Sequence, residues 1–340
     1  MCGIVGVVSR TTTGLFKQGE DTFMQLLYAN ALRGDDSTGL VCVEKDTSFH
    51  IAKQASEAAF YLPQFIGSAI HKKMFSSGKA YIGHNRKKTV GKVADETAHP
   101  FTVDGEFAMV HNGTLYNHRT LANTEVDSEA LTQVLAKAFE KEDYVPDLEE
   151  TLGRVDGAYA VAMYDQRHNV VRLLRNKERP LSMVETPNAW FFASEGMMLF
   201  WILSRNGYAM KDVTITPVPE DTVVTFDLDK NTMALEAIKP KKPIPQPTKI
   251  TTVAGGKVTT IVKPKKNLPE GMTKNSFKRF RRRLLGKRVE WWAEDYVETN
   301  FPKTEAQGET LFDLMGTCDE IFEDHMVLAE QAGQVAVEDN

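Results

Sequence analysis

The first 238 residues contain many short apolar segments rich in β-branched and aromatic residues, and this pattern constrains the fold most. The strand-like segments cluster along the chain, and helical segments separate some of them without a regular βα alternation. Clustered strands favour antiparallel sheets covered by helices over a doubly wound parallel sheet. The predicted strands are residues 4–8, 40–43 (paired with the segment near residues 50–51), 80–83, 107–110, 158–164, 170–174, 190–193, and a closing hairpin of residues 223–228 and 233–238.

Three segments of the same region have helical character. Residues 23–32 place apolar side chains at helical spacing and end before a polar run that contains a glycine. Residues 127–141 predict an amphipathic helix that either Asp127 or Ser128 can cap. Residues 197–203 are almost entirely apolar and predict a buried helix.

Size and composition exclude several classes of protein. The 340 residues suggest one large domain or two smaller ones, with ordinary hydrophobic (42%) and charged (26%) fractions. We expect no transmembrane helix and no secretory signal, because no apolar run is long enough and no basic segment precedes one. Cys2, Cys42 and Cys318 fit neither a disulfide framework nor a zinc site. We therefore predict a cytoplasmic protein without a metal or cofactor.

Charge separates the end of the chain from its body. Residues 239–289 contain sixteen Lys or Arg and one acid, whereas residues 290–340 contain fourteen Asp or Glu and one base. We therefore predict a domain at residues 1–238, a Pro- and Lys-rich linker at residues 239–269, and a basic-then-acidic helical region at residues 270–340.

A near-palindrome at residues 250–261 lies inside the predicted linker. Its central Gly-Gly pair suits a two-residue hairpin turn, which would place Val253 opposite Val258 and Ile250 opposite Ile261. An isolated hairpin is marginally stable in water, so we expect this one to dock on other structure.

Basic and aromatic residues alternate at residues 274–292, which is a pattern that can bind nucleic acid through phosphates and base stacking. The alternative is that this segment packs against the acidic segment that follows it. We favour the alternative, because the opposite charges lie so close in sequence.

Cys2 follows the initiator methionine directly. If Met1 is removed, one residue carries both a thiol and a free α-amine, whose pKa values are about 8.5 and about 7.7–8.0. A base works best when its pKa lies near the working pH, so this residue could supply both a nucleophile and its base. The alternative is an ordinary buried cysteine.

Five further segments join Cys2 in order along the chain: residues 33–39 (RGDDSTG), 83–91 (GHNRKKTVG), 99–100 (HP), 111–113 (HNG) and 127–129 (DSE). In order and spacing, the six elements resemble the class II, N-terminal-nucleophile glutamine amidotransferases. This family includes the glutaminase domains of glucosamine-6-phosphate synthase and of glutamine phosphoribosylpyrophosphate amidotransferase. The resemblance covers roughly residues 2–235 and implies an α+β fold, a four-layer α/β/β/α sandwich of the N-terminal-nucleophile hydrolases.

The resemblance implies a catalytic set in which Cys2 is the nucleophile. Asn112 and Gly113 would bind the oxyanion, through a side-chain amide and a backbone N–H. Arg33 and Gly34 match the loop that supports the catalytic amine. Without the other motifs, Asn112 and Gly113 would instead indicate a hairpin turn.

The resemblance also implies a grip on free glutamine. Arg86 would bind the α-carboxylate and Asp127 the α-ammonium, while Thr89 falls where the family has a substrate-contacting threonine. For Asp127 simple helix capping is an alternative that can coexist with this role. We expect His99 to brace the substrate loop rather than to act as a base.

The implied reaction is hydrolysis of the glutamine side-chain amide through a γ-glutamyl thioester, with ammonia passed to an acceptor. Residues 239–340 match no synthase of the family, so the resemblance implies a stand-alone form and a separate ammonia-accepting enzyme or a homo-oligomer. Two alternatives stay open: an amidase that acts on another amide such as a γ-glutamyl compound, and a non-catalytic protein that senses glutamine or recruits a partner.

Overall fold

Two antiparallel sheets form the framework of the fold. The computed structural model describes residues 2–75, 78–209, 214–240, 249–254 and 257–262. The chain divides into two units, Met1–Ile244 and Pro245–Asn340. The described strands of the first unit are β1 (Gly3–Ser9), β2 (Ser37–Glu44), β3 (Phe49–Gln54), β4 (Gly78–Arg86), β5 (Phe101–Val103), β6 (Phe107–Leu115), β7 (Gly157–Asp165), β8 (Val170–Arg175), β9 (Ser182–Glu185), β10 (Ala189–Ala193), β11 (Ile215–Pro217), β12 (Thr222–Asp227) and β13 (Thr232–Ala237).

Sheet 1 has seven strands in the order β11-β9-β10-β1-β4-β2-β3, and sheet 2 has six in the order β13-β12-β8-β7-β6-β5. All the pairings are antiparallel. The described helices are α1 (Lys17–Ala29), α2 (Ala58–Phe65), α3 (Ala69–Met74), α4 (His118–Leu121), α5 (Asp127–Ala138), α6 (Val145–Gly153) and α7 (Gly196–Arg205), with 3-10 turns at Asn30–Arg33 and Asp95–Thr97.

Three apolar clusters show how the layers stack. One lies between the two sheets and joins residues such as Ile4 and Ile82 of sheet 1 to Val110 of sheet 2. A second lies beneath α1, α2 and α7 on the other face of sheet 1. A third lies beneath α5 and α6 on the other face of sheet 2. The predicted four-layer α/β/β/α sandwich is therefore confirmed.

The predicted strands are all present, and the predicted hairpin pairs β12 with β13. The helix predicted at residues 23–32 begins earlier and ends in a 3-10 turn. The helix predicted at residues 127–141 ends at Ala138. The helix predicted to be buried, α7, has one exposed side that includes Met197 and Trp201, because it packs against sheet 1 through its other side.

The second unit is described only at a hairpin, β14 (Lys249–Ala254) and β15 (Lys257–Val262). Its register places Ile250 opposite Ile261 and Val253 opposite Val258, as the near-palindrome suggests. The docking of this hairpin, the basic segment 274–292 and the helices expected at residues 270–340 lie outside the described residues. The predicted domain boundaries stay predictions.

The described residues include no helix that is both long and apolar enough to cross a membrane.

Candidate active site

Strand register brings three of the motif segments to one place. Ile4 and Ile82 lie in the core between the sheets, and so does Val110. Because side chains alternate along a strand, positions two residues further on face the same gap. On β4 these are His84 and Arg86, and on β6 the position is Asn112. Cys2 has the same parity as Ile4, and the β1–β4 pairing sets Gly3 beside Asn85.

Cys2 is buried, and its thiol lies against one peptide unit. The Lys87 backbone N–H donates to Sγ, and the thiol donates to the Lys87 carbonyl, both at 3.3 Å. Burial raises the pKa of the thiol, and the Lys87 N–H opposes that shift. Met1 precedes Cys2 in the sequence, so a free α-amine on Cys2 requires its removal.

Arg33 holds the backbone of Cys2, and Gly34 packs against the backbone of Arg86. Arg33 Nε donates to the Cys2 carbonyl at 3.0 Å, and its guanidinium forms a salt bridge with Glu195. Burial lowers the pKa of Arg33, which the Glu195 carboxylate opposes. A Cβ on Gly34 would lie 2.5 Å from the Arg86 carbonyl carbon, so only glycine permits this approach of the two segments.

Asn112 and Gly113 lie inside strand β6, opposite Ala160 and Tyr159 of β7. The alternative of a hairpin turn at these residues is therefore wrong. Asn112 is buried, and its Nδ2 donates to Ser194 Oγ at 3.5 Å. A Cβ on Gly113 would lie 1.9 Å from the Ala158 carbonyl oxygen, so the close pairing of β6 with β7 requires glycine there.

Arg86 is buried at the end of β4 and binds the loop that follows it. Its Nη1 donates to the Lys92 carbonyl (2.8 Å) and to Thr97 Oγ1 (3.0 Å), and its Nη2 donates to the Val90 carbonyl (2.6 Å). Burial lowers the pKa of Arg86, and the nearby Cys2 and Asp127 oppose the shift. Thr89 lies on this loop and is exposed, with no side-chain hydrogen bond to a described residue.

The N-cap position of α5 is occupied by Val126, so neither Asp127 nor Ser128 is the N-cap, and Asp127 is the first residue of the helix. Its Oδ2 accepts the backbone N–H of Leu115 at 2.9 Å, and its Oδ1 accepts that of Ser128 at 3.0 Å. The carboxylate therefore joins the end of β6 to the start of α5, which places Asp127 beside the strand that carries Asn112.

Three buried histidines pack between and beside these segments. His84 Nε2 is 3.0 Å from the His111 carbonyl, and the rings of His84 and His99 lie 3.9 Å apart, centroid to centroid. Burial lowers the pKa of all three, that of His84 to about 3. The ring of His99 makes no hydrogen bond with a described residue, and the side chain that contacts Arg86 in its loop is Thr97.

Sequence reasoning missed three residues of this arrangement: Thr97, Ser194 and Glu195. Ser194 Oγ accepts the Ile4 N–H at 3.0 Å, and Glu195 holds Arg33. The only signal in the sequence is a polar pair directly after the apolar segment 190–193. Such a pair also ends many ordinary strands. Among the described residues, no group of three side chains is placed to hold a metal ion.

Comparisons with known proteins show what this chain is similar to. A family model described as a glutamine amidotransferase domain matches residues 84–200. Glutamine–fructose-6-phosphate aminotransferases (isomerizing) from Lactococcus lactis and Streptococcus agalactiae are 29% and 30% identical over 250 and 245 residues. The alignments cover 70% and 68% of this chain, which spans only 39% and 38% of the length of those relatives.

Solved structures share the fold at lower identity. Glutamine phosphoribosylpyrophosphate amidotransferase from B. subtilis is 20% identical with a TM-score of 0.54, over 69% of this chain and 49% of that chain. The structure titled as the allosteric regulatory enzyme of purine biosynthesis is 19% identical with a TM-score of 0.52, over the same shares of the two chains. The matched range, residues 84–200, includes the positions of Arg86, Asn112 and Asp127. The chain therefore contains a class II, N-terminal-nucleophile glutamine amidotransferase domain, which is an enzyme domain.

Proposed function

We propose that this protein hydrolyses the side-chain amide of L-glutamine with Cys2 as its nucleophile. The observation that carries the proposal is the placement of Cys2. Its Sγ lies against the Lys87 peptide, and its carbonyl is bound by Arg33. The strand register directs Asn112 into the same gap between the sheets. In this proposal the nucleophile, directly before β1, and the oxyanion donor, on β6, face each other across the gap between the sheets.

The proposed reaction begins when removal of Met1 frees the α-amine of Cys2. The amine accepts the thiol proton, and Sγ attacks the carbonyl carbon of the glutamine side chain. Asn112 Nδ2 and the Gly113 N–H stabilise the oxyanion. The amine then donates the proton to the leaving nitrogen, the C–N bond breaks, and ammonia departs from a γ-glutamyl thioester. Water hydrolyses that thioester, which releases glutamate and restores the thiol.

The burial of the Cys2 thiol explains why this scheme needs a base. The pKa of the Cys2 thiol is raised by burial, so the thiol is largely protonated at neutral pH before substrate binds. An amine with a pKa of about 7.7–8.0 can remove that proton at physiological pH, since a base is most effective near its own pKa. The buried histidines are less suited to this role, because burial lowers their pKa values.

For substrate binding we propose that Arg86 holds the α-carboxylate and Asp127 the α-ammonium, with Thr89 closing over the ligand. Arg86 uses Nη1 and Nη2 to hold its own loop, so glutamine must compete for these donors or take the remaining ones. Thr89 is exposed and has to move inward to touch the ligand. The loop at residues 87–97 is thus the part of the site that we expect to change on binding.

The released ammonia passes, in this proposal, to a synthase that consumes it. The relatives are named as aminotransferases that use glutamine and fructose 6-phosphate, and this chain aligns with only 39% of the L. lactis protein. For the ammonia acceptor we propose only a chemical class: an electrophilic centre on a partner enzyme or domain. A reducing cytoplasm remains the predicted compartment, and Cys2 and Cys42 are both free thiols.

A glutaminase assay on the full chain tests the proposal. We expect Cys2→Ala to lower glutamate release by more than about a thousandfold, because the nucleophile is lost. The matched control is Cys42→Ala, which removes a buried thiol of strand β2 outside the site. Intact-mass measurement of the wild type should show that Met1 is absent. Glutamate release that survives Cys2→Ala would refute the proposal.

A further inference from the structure

Two residues, Ser194 and Glu195, connect the end of β10 to the start of α7. Ser194 contacts the N-terminal strand β1 directly, and Glu195 contacts Arg33, which binds the Cys2 carbonyl. Ser194 pairs with Ile4 in two ways: its Oγ accepts the Ile4 N–H at 3.0 Å, and its own N–H donates to the Ile4 carbonyl at 2.9 Å. Ser194 is fully buried, with 1% of its surface exposed. The position of β1 just after Cys2 is therefore tied to this serine through side chain and backbone together.

The same hydroxyl also reaches the opposite sheet. Asn112 Nδ2, the proposed oxyanion donor on β6, donates to Ser194 Oγ at 3.5 Å. One oxygen atom thus lies between the strand of the nucleophile in sheet 1 and the oxyanion donor in sheet 2. A shift of either strand relative to the other would break one of its two contacts.

Glu195 acts on the other end of the N-terminal segment. Its carboxylate forms a salt bridge with Arg33, and Arg33 Nε donates to the Cys2 carbonyl at 3.0 Å. The Arg33 side chain is 7% exposed, whereas that of Glu195 is 48% exposed. The carboxylate is thereby the partner that orients a buried guanidinium whose other contact is the backbone of the nucleophile.

We propose that Ser194 and Glu195 form a positioning clamp, called here the 194–195 clamp, which sets the Cys2 thiol and α-amine relative to Asn112. The clamp rests on the proposed function, since it matters only if Cys2 is the nucleophile. Neither residue touches the reacting atoms. Ser194 acts through Ile4 and Asn112, and Glu195 acts through Arg33. Misplacement of reacting groups by a fraction of an ångström costs rate without a change in the groups themselves.

Three variants and two matched controls test the clamp in the full chain. Ser194→Ala removes the shared hydroxyl, Ser194→Thr restores a hydroxyl, and Glu195→Gln removes the charge that orients Arg33. The controls are Ser204→Ala, an exposed serine of α7, and Glu142→Gln, an exposed glutamate after α5. Each is assayed for kcat and KM with glutamine and for the alkylation rate of Cys2 by iodoacetamide, read on the Cys2 peptide by mass spectrometry.

The two halves of the clamp should give different signatures. For Ser194→Ala we expect kcat to fall about tenfold or more with KM within about twofold, and Ser194→Thr should recover most of the loss. For Glu195→Gln we expect a fall in kcat together with changed alkylation of Cys2, because the backbone of the nucleophile is loosened. The controls should match the wild type in every measurement. A purely structural role would lower the amount of folded protein without splitting kcat from KM.

The outcomes separate failure of the clamp from failure of the proposed function. Wild-type kcat in both Ser194→Ala and Glu195→Gln, alongside an inactive Cys2→Ala, would refute the clamp alone. A wild type without glutaminase activity, or one unaffected by Cys2→Ala, would refute the proposed function. If Ser194→Ala does not fold, Glu195→Gln alone tests the clamp. The Glu195 side chain is half exposed, so this variant should fold, and the proposal requires its kcat to fall.

Discussion

The proposed nucleophile half of the site and its proposed glutamine-binding half are built differently. In the first, Cys2, Arg33 and Asn112 lie on or beside paired strands, and each makes contacts that belong to the framework. In the second, Arg86 binds the carbonyls of its own loop, and Thr89 is exposed on that loop. The proposed reacting groups are thus held in place before substrate arrives, whereas Arg86 must exchange partners to bind the substrate.

This difference matches the demands of the proposed chemistry. Transition-state stabilisation depends on donors that need no rearrangement at the moment of reaction. Ligand binding can tolerate an exchange of hydrogen bonds, because the ligand forms new hydrogen bonds in place of those that it breaks. Substitutions in the nucleophile half should therefore lower kcat, and substitutions in the binding half should raise KM.

After Cys2→Ala, the largest effect is expected from Asn112→Ala in the nucleophile half. Loss of one oxyanion donor typically lowers kcat by about 10²–10³-fold, and KM for glutamine should stay nearly unchanged. Steady-state glutaminase kinetics measure the split, with Asn188→Ala, an exposed asparagine in the turn before β10, as the control. A change confined to KM would show that Asn112 binds the substrate rather than the oxyanion, and that the two halves do not differ as proposed.

The next largest effect is expected from Arg86→Lys in the binding half. Lysine keeps the charge but loses the fork that can bind a carboxylate and the loop together. KM for glutamine should rise about tenfold to a hundredfold, since a charged hydrogen bond contributes about 1.5–3 kcal/mol, while kcat should fall much less. Arg119→Lys, on the exposed surface of α4, is the matched control. An unchanged KM would argue that Arg86 only shapes the loop.

The buried histidines predict that the free energy of unfolding depends on pH. Burial holds the pKa of His84 at about 3 in the folded protein, below the value of about 6.5 for a free imidazole. The unfolded chain binds the additional proton first, so the free energy of unfolding should fall as the pH drops from about 6.5 towards about 3. Each such histidine contributes up to about 1.4 kcal/mol per pH unit.

Thermal or urea unfolding between pH 4 and pH 7 measures this slope. His84→Gln removes the titrating group and should flatten the slope, whatever its effect on stability at neutral pH. The same slope in His84→Gln as in the wild type would show that acid acts elsewhere.

The smallest effect is expected from Thr89→Val. The exposed hydroxyl makes no side-chain hydrogen bond with a described residue, so stability should not change. If Thr89 closes over glutamine, KM should rise about threefold to tenfold, since a neutral hydrogen bond contributes about 0.5–1.5 kcal/mol. Thr102→Val, exposed on β5, controls for the added methyl group. An identical KM would remove Thr89 from the binding half.

Elements with a strong local pattern were predictable, and short edge elements were not. The apolar segments of β1, β4, β6 and β7 carry enough β-rich sequence to identify each strand alone. The three-residue strand β11 ends in Pro217 and pairs only with β9, so its local sequence contains little signal. Helix α7 was identified, but which side it buries depends on sheet 1, a partner far away in sequence.

By itself the sequence determined the layers of the fold and the identity of the chemical groups. Side-chain periodicity depends on neighbouring residues, so it identifies individual strands and helices. The motifs from Cys2 to Asp127 occur in an order typical of one family, and that resemblance predicted the layers and the chemical groups. Only the tertiary structure decided that Asn112 lies within a strand rather than a turn, that Arg86 holds its own loop, and that Ser194 joins β1 to Asn112. These contacts join residues up to 190 positions apart in sequence. A local sequence pattern cannot predict them, because they arise only when the chain packs.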